Sequence, residues 1–366
     1  MRPDTCRSRS SLAWGLGFLL LGQMLLAGWI EFKKPIYRDP VHHLRLSHLR
    51  QRLRESEARE GPVVFVGTSR FRFGVQSRVM EKHLLETQGT PTVVANWSNA
   101  GNGVVRSRLN LSRLAENGVR PRMVFLEVFP LHLSSDNNML DTVAPYLPAG
   151  ELSAADARIV ARFDPGQPNV QTEQLLSQLV PIHGHRFNLL RLHAPSLVRI
   201  ETEELNRLKT DFRGTWPEEH KRFILENNVK VKLGRRYQRY KLCPQRLEVL
   251  EDGLRFASEQ DWPIAVVMMP EGPTFRSLYK PGTWDEVSGE VTAIANRHGA
   301  TFINLREWID DEKEFNDSHH LTAEGADRFT ERLTREVVVP LLREEPRMAK
   351  TRGKGQPISS AQPAGE

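Results

Sequence analysis

The pattern of apolar and polar residues sets one long apolar segment apart from a series of short ones. Residues 11–30, SLAWGLGFLLLGQMLLAGWI, carry no charge. At a rise of about 1.5 Å per residue, a helix of this length reaches roughly 30 Å, the thickness of the hydrocarbon layer of a membrane. The pattern therefore predicts one transmembrane helix near the N-terminus.

Charges around this segment indicate its orientation. Three arginines and one aspartate precede it, which favours a cytoplasmic N-terminus, residues 1–10, and an exported remainder. Three basic residues just after the segment weaken this bias. The alternative is a cleavable signal peptide, but its apolar core would be shorter, and Trp29 and Phe32 suit a membrane interface. We predict an uncleaved signal anchor, a single-pass protein of the inner or cytoplasmic membrane with an extracytoplasmic domain.

Beyond the anchor, short apolar runs alternate with longer amphipathic segments. Residues 63–66, VVFV, are too few for a buried helix and rich in β-branched side chains, so they predict a central strand. Four similar strands are predicted at residues 91–95, 123–128, 264–269 and 301–305. Helical patterns lie between them at residues 79–88, 104–117, 244–260 and 284–298. This alternation predicts an α/β fold of three α/β/α layers, with a parallel sheet covered on both faces.

Three further segments complete the predicted organisation. Residues 31–60 place leucines on one helical face among charged positions, which predicts a partly exposed helical stalk. Residues 131–242 lack a convincing strand, so we expect a mostly helical insertion over the carboxyl edge of the sheet, as a lid or partner surface. Residues 344–366 are polar and rich in Pro and Gly, which predicts a disordered tail. The main domain would span residues 61–343.

Composition narrows the class of protein only partly. The 366 residues are 39% hydrophobic, which excludes disorder throughout, and two cysteines support no disulfide framework. The net charge of +6 suits nucleic acid, an anionic glycan or a membrane surface. Residues 230–246 are basic with two interleaved tyrosines, as in a nucleic-acid patch. For an exported domain we instead predict contact with anionic glycan or phospholipid head groups, or a solvated face, and no nucleic-acid partner.

Candidate chemistry lies at two distant places in the chain. Ser69 follows the first predicted strand, where open α/β folds bind ligands. A serine there becomes a nucleophile only with a base and with donors for an oxyanion. Asp317 and His320, three positions apart in FNDSHHLTAEGADRF, could supply that base through one turn of chain. The alternatives are that Ser69 caps the next helix and that Asp317 caps a turn before a helix begun by Thr322.

The adjacent His319 is the second candidate base. At two positions from Asp317 it should point away, so we expect a surface histidine. A metal site of Asp317, His319 and His320 is not predicted, because adjacent histidines rarely converge on one ion. No cofactor is predicted either.

These residues resemble a known family. VGTS with Ser69, NWSNAG with Gly101 and DSHHLTAEG with Asp317 and His320 are similar to the first, second and fifth blocks of SGNH (GDSL-like) hydrolases, which have a flavodoxin-like α/β/α fold. The resemblance covers residues 61–130 and 261–342. It implies that Ser69 is the nucleophile, that His320 and Asp317 complete its triad, and that the N–H groups of Ser69 and Gly101 form the oxyanion hole.

One block departs from the family pattern. Where an asparagine is usual after the third strand, this chain has Val128, Phe129 and Pro130. Loss of an oxyanion donor costs on the order of a hundredfold in turnover. We expect Asn102, or else Asn99, to substitute.

Membrane-anchored members of the family include polysaccharide O-acetylation proteins, and HLTAEGADRF is similar to them. The resemblance therefore implies a serine esterase or O-acyltransferase, with acetyl the expected group. Its substrate would be a cell-surface or exported carbohydrate, and a membrane acyl-transfer partner is compatible with it. The alternative is a catalytically silent glycan-binding or assembly subunit.

Overall fold

Five parallel strands form a sheet in the order β2–β1–β3–β4–β5. The strands are β1 (Val63–Val66), β2 (Val94–Asn96), β3 (Met123–Glu127), β4 (Ile264–Met268) and β5 (Thr301–Asn304). The structure is a computed structural model that describes residues 4–58, 60–135, 148–164, 167–194 and 214–344. The predicted parallel sheet is confirmed, and each strand overlaps its predicted segment.

Helices connect and cover the strands. They are α1 (Asp4–Gly28), α2 (Pro40–Glu55), α3 (Ser69–Gly74), α4 (Ser77–Gln88), α5 (Val104–Glu116), α6 (Ala154–Phe163), α7 (Val170–Leu179), α8 (Pro181–Gly184), α9 (Arg186–His193), α10 (Glu218–Ile224), α11 (Gly234–Gln238), α12 (Pro244–Glu259), α13 (Pro273–Arg276), α14 (Thr283–Arg297) and α15 (Ala323–Leu333). Short π-helical turns cover Trp29–Lys33, Leu225–Leu233 and Thr334–Val338, and 3-10 turns cover Pro35–Tyr37, Pro130–Leu133, Ala149–Glu151 and Glu312–Glu314.

The sheet is covered on both faces because successive strand side chains point in opposite directions. Val64 and Val66 join one apolar cluster, which also contains side chains of α2, α5, α12 and α14. Val63 and Phe65 join a second cluster with side chains of α3, α4 and α15. The three-layer α/β/α architecture is therefore confirmed.

The segment predicted as a stalk is part of this domain. Leu46 and Leu49 of α2 are buried in the first cluster. Asp39 caps α2 and lies 2.7 Å from Arg113, which also lies 2.8 Å from Asp156. The partly exposed helix expected at residues 31–60 thus covers the core with its apolar face, a contact that the amphipathic pattern alone does not reveal.

The described parts of residues 131–242 are helical and occupy two regions. Helix α6 packs against α5, and α7 and α8 pack against α1. The stretch around Trp216 and α10 instead lies near the DSHH segment, as described below. The predicted disordered tail lies outside the described residues apart from residue 344.

The N-terminal helix has the length and composition of a membrane span. Ser10–Lys33 form one continuous helix, and its most apolar stretch of 18 residues has a mean hydropathy of 1.6 and is 11% buried. Side chains from residue 10 to residue 22 are exposed, and burial begins at Gln23. Within the described part of the chain, α1 therefore meets the domain at its far end alone.

Candidate active site

The first strand ends directly below Ser69. Thr68 is the N-cap of α3, and its Oγ1 accepts a hydrogen bond of 3.1 Å from the Arg70 N–H. Ser69 is therefore the first residue of the helix, and the alternative in which Ser69 itself caps the helix is wrong. Its side chain is free to turn toward the carboxyl edge of the sheet.

Ser69, His320 and Asp317 form a continuous hydrogen-bonded chain. Ser69 Oγ lies 2.7 Å from His320 Nε2. His320 Nδ1 lies 2.7 Å from Asp317 Oδ2. With the proton on Nδ1 donated to the carboxylate, Nε2 can accept the serine proton, which is the arrangement that a serine nucleophile requires.

A tight turn, rather than a helical turn, places Asp317 beside His320. Asp317 Oδ1 accepts a hydrogen bond of 2.8 Å from the His320 N–H, so one carboxylate orients both the backbone and the ring. Ser318 between them has a left-handed backbone with φ of +67°. Non-glycine residues adopt this conformation at a cost, and the surroundings stabilise it here.

The contacts that stabilise the left-handed backbone of Ser318 come from the loop after β4. Ser318 Oγ accepts a hydrogen bond of 2.9 Å from the Phe275 N–H, and the Ser318 carbonyl accepts one of 2.7 Å from the Gly272 N–H. The DSHH turn is thus fastened to a second strand end before it reaches Ser69.

The electrostatics of the turn favour a charged Asp317. Burial opposes ionisation of this carboxyl, which is 3% exposed. The imidazoles of His319 and His320 and the hydrogen bonds from His320 outweigh burial and hold the pKa of Asp317 well below its usual range. An ionised Asp317 stabilises the imidazolium that forms when His320 takes a proton.

The His319 ring is mostly covered, with 12% of its side chain exposed, contrary to the expected surface position. Its ring packs 4.8 Å from the ring of Phe275 and stacks on Phe129. Burial lowers the pKa of His319 to about 3, so the ring is neutral near pH 7. The prediction failed because side-chain direction in this turn follows the left-handed Ser318, not helical geometry.

Asp317, His319 and His320 also have the spacing of a metal-ligand group, since one atom of each lies within 4.8 Å of the others. Two of these groups are already engaged in hydrogen bonds, because Asp317 and both nitrogens of His320 belong to the chain that leads to Ser69. A metal ion here would compete with that chain.

The proposed oxyanion donors lie in a loop tied to the end of β1. The Asn99 N–H donates to the Gly67 carbonyl at 3.2 Å, and Asn102 Nδ2 donates to the same carbonyl at 3.0 Å. Gly101 between them has φ of +70°, where glycine is favoured. One hydrogen of the Asn102 amide is thus committed to this tether, so its oxyanion role stays a prediction.

The end of β3 supplies a buried carboxylate that sequence analysis did not single out. Glu127 Oε2 accepts a hydrogen bond of 2.7 Å from the Thr68 N–H, and Oε1 accepts one of 3.0 Å from Thr68 Oγ1. Burial raises the pKa of Glu127, and the nearby Arg70 guanidinium opposes that rise. Glu127 therefore fixes the backbone that carries Ser69. Its only signal in the sequence is a charged residue ending an apolar strand.

Arg70 links Glu127 to the end of β4. Its guanidinium donates hydrogen bonds of 2.8 Å to the carbonyls of Met269 and Pro270, and it lies 3.6 Å from Glu271. It also covers the Phe129 ring at 4.8 Å. Phe129 thus belongs to a packed wall at the place where the hydrolases that the sequence resembles have an asparagine.

Aromatic rings flank His320. The His320 ring lies 5.4 Å from Phe73 and 6.4 Å from Trp216. Asn316 holds the chain at Trp216 in place, since Asn316 Oδ1 accepts a hydrogen bond of 2.9 Å from the backbone N–H of Trp216. Beside this contact a groove lies between α10 and the DSHH turn, with Lys221 and Arg222 in its lining. Part of residues 131–242 therefore borders the site.

The basic run at residues 230–246 does not present its aromatic side chains to solvent. Tyr237 is 0% exposed and Tyr240 is 7% exposed, and both belong to the core. Aromatic stacking on nucleic-acid bases requires accessible rings. These two tyrosines are therefore part of the packing.

Comparison with known proteins gives weak similarity. One family model matches residues 222–342, less than half of the chain, and no curated protein matches. Among 23 matching solved chains is TesA, with 12% identity over 78% of this chain and 99% of that chain and a TM-score of 0.37.

Two further solved structures are a lipase/acylhydrolase from Enterococcus faecalis and a catalytic mutant of Axe2, an acetylxylan esterase from Geobacillus stearothermophilus. The first is 12% identical over 77% of this chain and 97% of its own, with a TM-score of 0.37. The second is 10% identical over 77% and 95%, with a TM-score of 0.36. At these values the alignments assign no activity to this chain.

Proposed function

We propose that this protein is an SGNH-type serine esterase or O-acyltransferase, anchored to a membrane by α1 and acting on acylated carbohydrate outside the cytoplasm. The observation that carries the proposal is the chain from Ser69 Oγ through His320 to Asp317, with both contacts at 2.7 Å. The sequence blocks that resemble the family hold these same three residues. Acetyl is the group that we expect to be transferred.

The reaction begins with attack of Ser69 Oγ on the acyl carbonyl carbon, as His320 Nε2 takes the serine proton. The N–H groups of Ser69 and Gly101 would bind the negative oxygen of the tetrahedral intermediate. The intermediate expels the alcohol of the donor ester, which receives the proton from His320. A second attack on the acyl-enzyme, by water or by a sugar hydroxyl, decides between hydrolysis and transfer.

Labelling with a fluorophosphonate tests the nucleophile, because this reagent reacts with activated serines. Purified full-length protein should be labelled, and Ser69→Ala should abolish the label. Ser288→Ala removes a partly exposed serine on α14 and should leave labelling unchanged. Labelling of Ser69→Ala equal to that of the parent would exclude Ser69 as the nucleophile.

A catalytically silent binding subunit is the second candidate. It is favoured by the residues after β3, which lack the asparagine that the family has there. Phe129 is packed under Arg70 there, and one amide hydrogen of Asn102 is committed to Gly67. No side chain at the described end of β3 then replaces the third oxyanion donor of the family. Absence of labelling in a folded parent protein, together with retained binding of an acetylated glycan, would favour this candidate.

Hydrolysis and transfer can be separated with one acetyl ester. If the protein is an esterase, release of acetate is independent of added glycan. If it is a transferase, acetate release falls when glycan is added, and the acetyl group is recovered on the glycan. Ser69→Ala is the negative control for both measurements.

A further inference from the structure

Exposed apolar side chains are concentrated on α7, α8 and α9. Beyond residue 33, ten large apolar side chains are exposed in the described part of the chain, and seven lie within residues 170–193. We call these seven the apolar patch; five of them, Leu175, Leu176, Leu179, Ile182 and Phe187, are more than half exposed. The three leucines share one side of α7, because positions three and four apart are neighbours on a helix. A contiguous surface of this kind marks a contact with a protein or a membrane.

The patch lies beside the apolar N-terminal helix. Helices α7 and α8 pack against α1. The Ile182 N–H donates a hydrogen bond of 3.4 Å to Oε1 of Gln23, a polar side chain within the apolar segment that is 8% exposed. The patch is therefore continuous with the exposed apolar surface of α1.

The point of contact lies deeper than the expected membrane interface. Trp29 and the exposed Lys33 and Lys34 have the composition of an interface region. Gln23 precedes Trp29 by almost two helical turns, which places it about 9 Å further along the helix axis. Whatever surrounds α1 at Gln23 must also surround the turn at Ile182.

Contacts at the other end fasten these helices to the chain that leaves α1. Asn188 Nδ2 donates a hydrogen bond of 2.8 Å to the Arg38 carbonyl. His193 Nε2 lies 2.9 Å from the Tyr37 hydroxyl, and the two rings stack. Helix α9 is thus held near the interface while α8 reaches along α1.

We propose that α7–α9 are immersed in the membrane leaflet from which α1 enters the domain, with the apolar patch among the acyl chains. The inference rests on the proposed anchoring by α1. Lipid is the occupant, because the patch continues the exposed apolar face of α1 at a depth below the interface residues, where a soluble partner has no access. Amphipathic helices bury about 5–10 Å into this zone, which agrees with the depth of Gln23. Together with α1, the immersed helices α7–α9 fix the orientation of the domain relative to the bilayer.

Site-directed fluorescence quenching tests this placement in the full chain. Cys6→Ser and Cys243→Ser provide a background without native cysteines. A bimane fluorophore is then placed by Leu179→Cys, with Leu176→Cys as a second position if the first variant does not fold. Leu25→Cys on α1 is the lipid reference, and Leu85→Cys, an equally apolar exposed position on α4, is the matched aqueous control. Each protein is reconstituted in vesicles of phosphatidylcholine.

Phosphatidylcholine brominated on its acyl chains should quench the fluorescence of the probe at Leu179 to at least half the extent seen at Leu25. It should leave the fluorescence of the probe at Leu85 unchanged. Iodide in the buffer should do the reverse. Quenching at Leu179 by iodide alone would overturn the proposal, and so would protection from both quenchers, which indicates cover by protein. If bromolipid fails to quench Leu25, the membrane anchoring itself is wrong. Quenching at Leu25 without quenching at Leu179 leaves the anchor intact and removes only this inference.

Discussion

At the scale of single residues, two adjacent histidines differ in what their rings reach. His320 contacts both Ser69 and Asp317, whereas His319 contacts Asp317 and a wall of aromatic rings. Only His320, of these two, is placed to exchange a proton with the Ser69 hydroxyl. Proximity to a carboxylate is therefore insufficient to identify the base.

Substitution of each histidine tests this assignment. His320→Ala should lower the rate of fluorophosphonate labelling by about 10²–10⁴-fold, the usual contribution of a general base. Asp317→Asn should weaken labelling, because it leaves the imidazole in the wrong tautomer. His319→Ala should keep most of the labelling. If His319→Ala silences a folded protein and His320→Ala does not, the assignment of the base is wrong.

Glu127 is predicted to act through the backbone that carries Ser69. Glu127→Ala should lower the free energy of unfolding by about 3 kcal/mol, because it leaves the buried Arg70 and the Thr68 N–H without this partner. Glu127→Gln keeps an acceptor oxygen and should retain more labelling of Ser69. Denaturant unfolding and labelling rates measure the two effects, and equal losses in both variants would contradict a positioning role.

At the scale of elements, α2 depends on the residue that precedes it. Asp39 caps α2 through the His42 N–H, at 3.0 Å, and pairs with the buried Arg113. A truncation that removes α1 must therefore end before Asp39 if the domain is to keep this ion pair.

Two truncated chains test the importance of Asp39. The free energy of unfolding of a chain beginning at Val41 should be lower by about 2 kcal/mol than that of a chain beginning at Lys34, since the buried Arg113 loses one of its two carboxylate partners and keeps only Asp156. Asp39→Asn in the full chain should reproduce part of this loss. All are compared in detergent, because the apolar patch remains exposed without α1. Equal stability of the two chains would show that Asp39 contributes little.

At the scale of the whole molecule, several histidines are buried in their neutral form. Burial lowers the pKa of His42, His132 and His319 to about 3 and that of His43 to about 4. Between these values and the ordinary value of about 6.5, the unfolded chain binds more protons than the folded one. Stability is then present above pH 6.5 and is lost as the pH falls toward 4.

The predicted acid sensitivity can be assigned to one side chain at a time. His132→Gln should reduce the slope of the unfolding free energy between pH 6.5 and pH 4 by about 1.4 kcal/mol per pH unit, the value for one proton. His220→Gln changes an exposed histidine and should leave the slope unchanged. Urea unfolding in detergent at several pH values provides the measurement. An unaltered slope for His132→Gln would show that His132 is not a neutral buried group in the fold.

The sequence by itself determined the strands, the helices that connect them and the three residues of the hydrogen-bonded chain at the candidate site. In runs such as VVFV and in the amphipathic segments between them, the spacing of apolar residues along the chain indicates a strand or a helix. That spacing depends only on residues close together in the sequence. Ser69 and Asp317 with His320 were predictable as candidates because strand ends in parallel sheets converge on one edge. Their pairing across a separation of 251 residues follows from that topology.

Only the tertiary structure decided which surfaces meet. Four features depend on residues that are far apart in the chain. They are the covering of His319, the contacts of Glu127 and Arg70, the packing of α2 into the core and the position of the apolar patch beside α1. An amphipathic pattern shows that a face is apolar, but the same pattern serves a core contact for Leu46 and an exposed surface for Leu179. The difference lies in the neighbour that the fold brings to each face, and local periodicity contains no information about that neighbour.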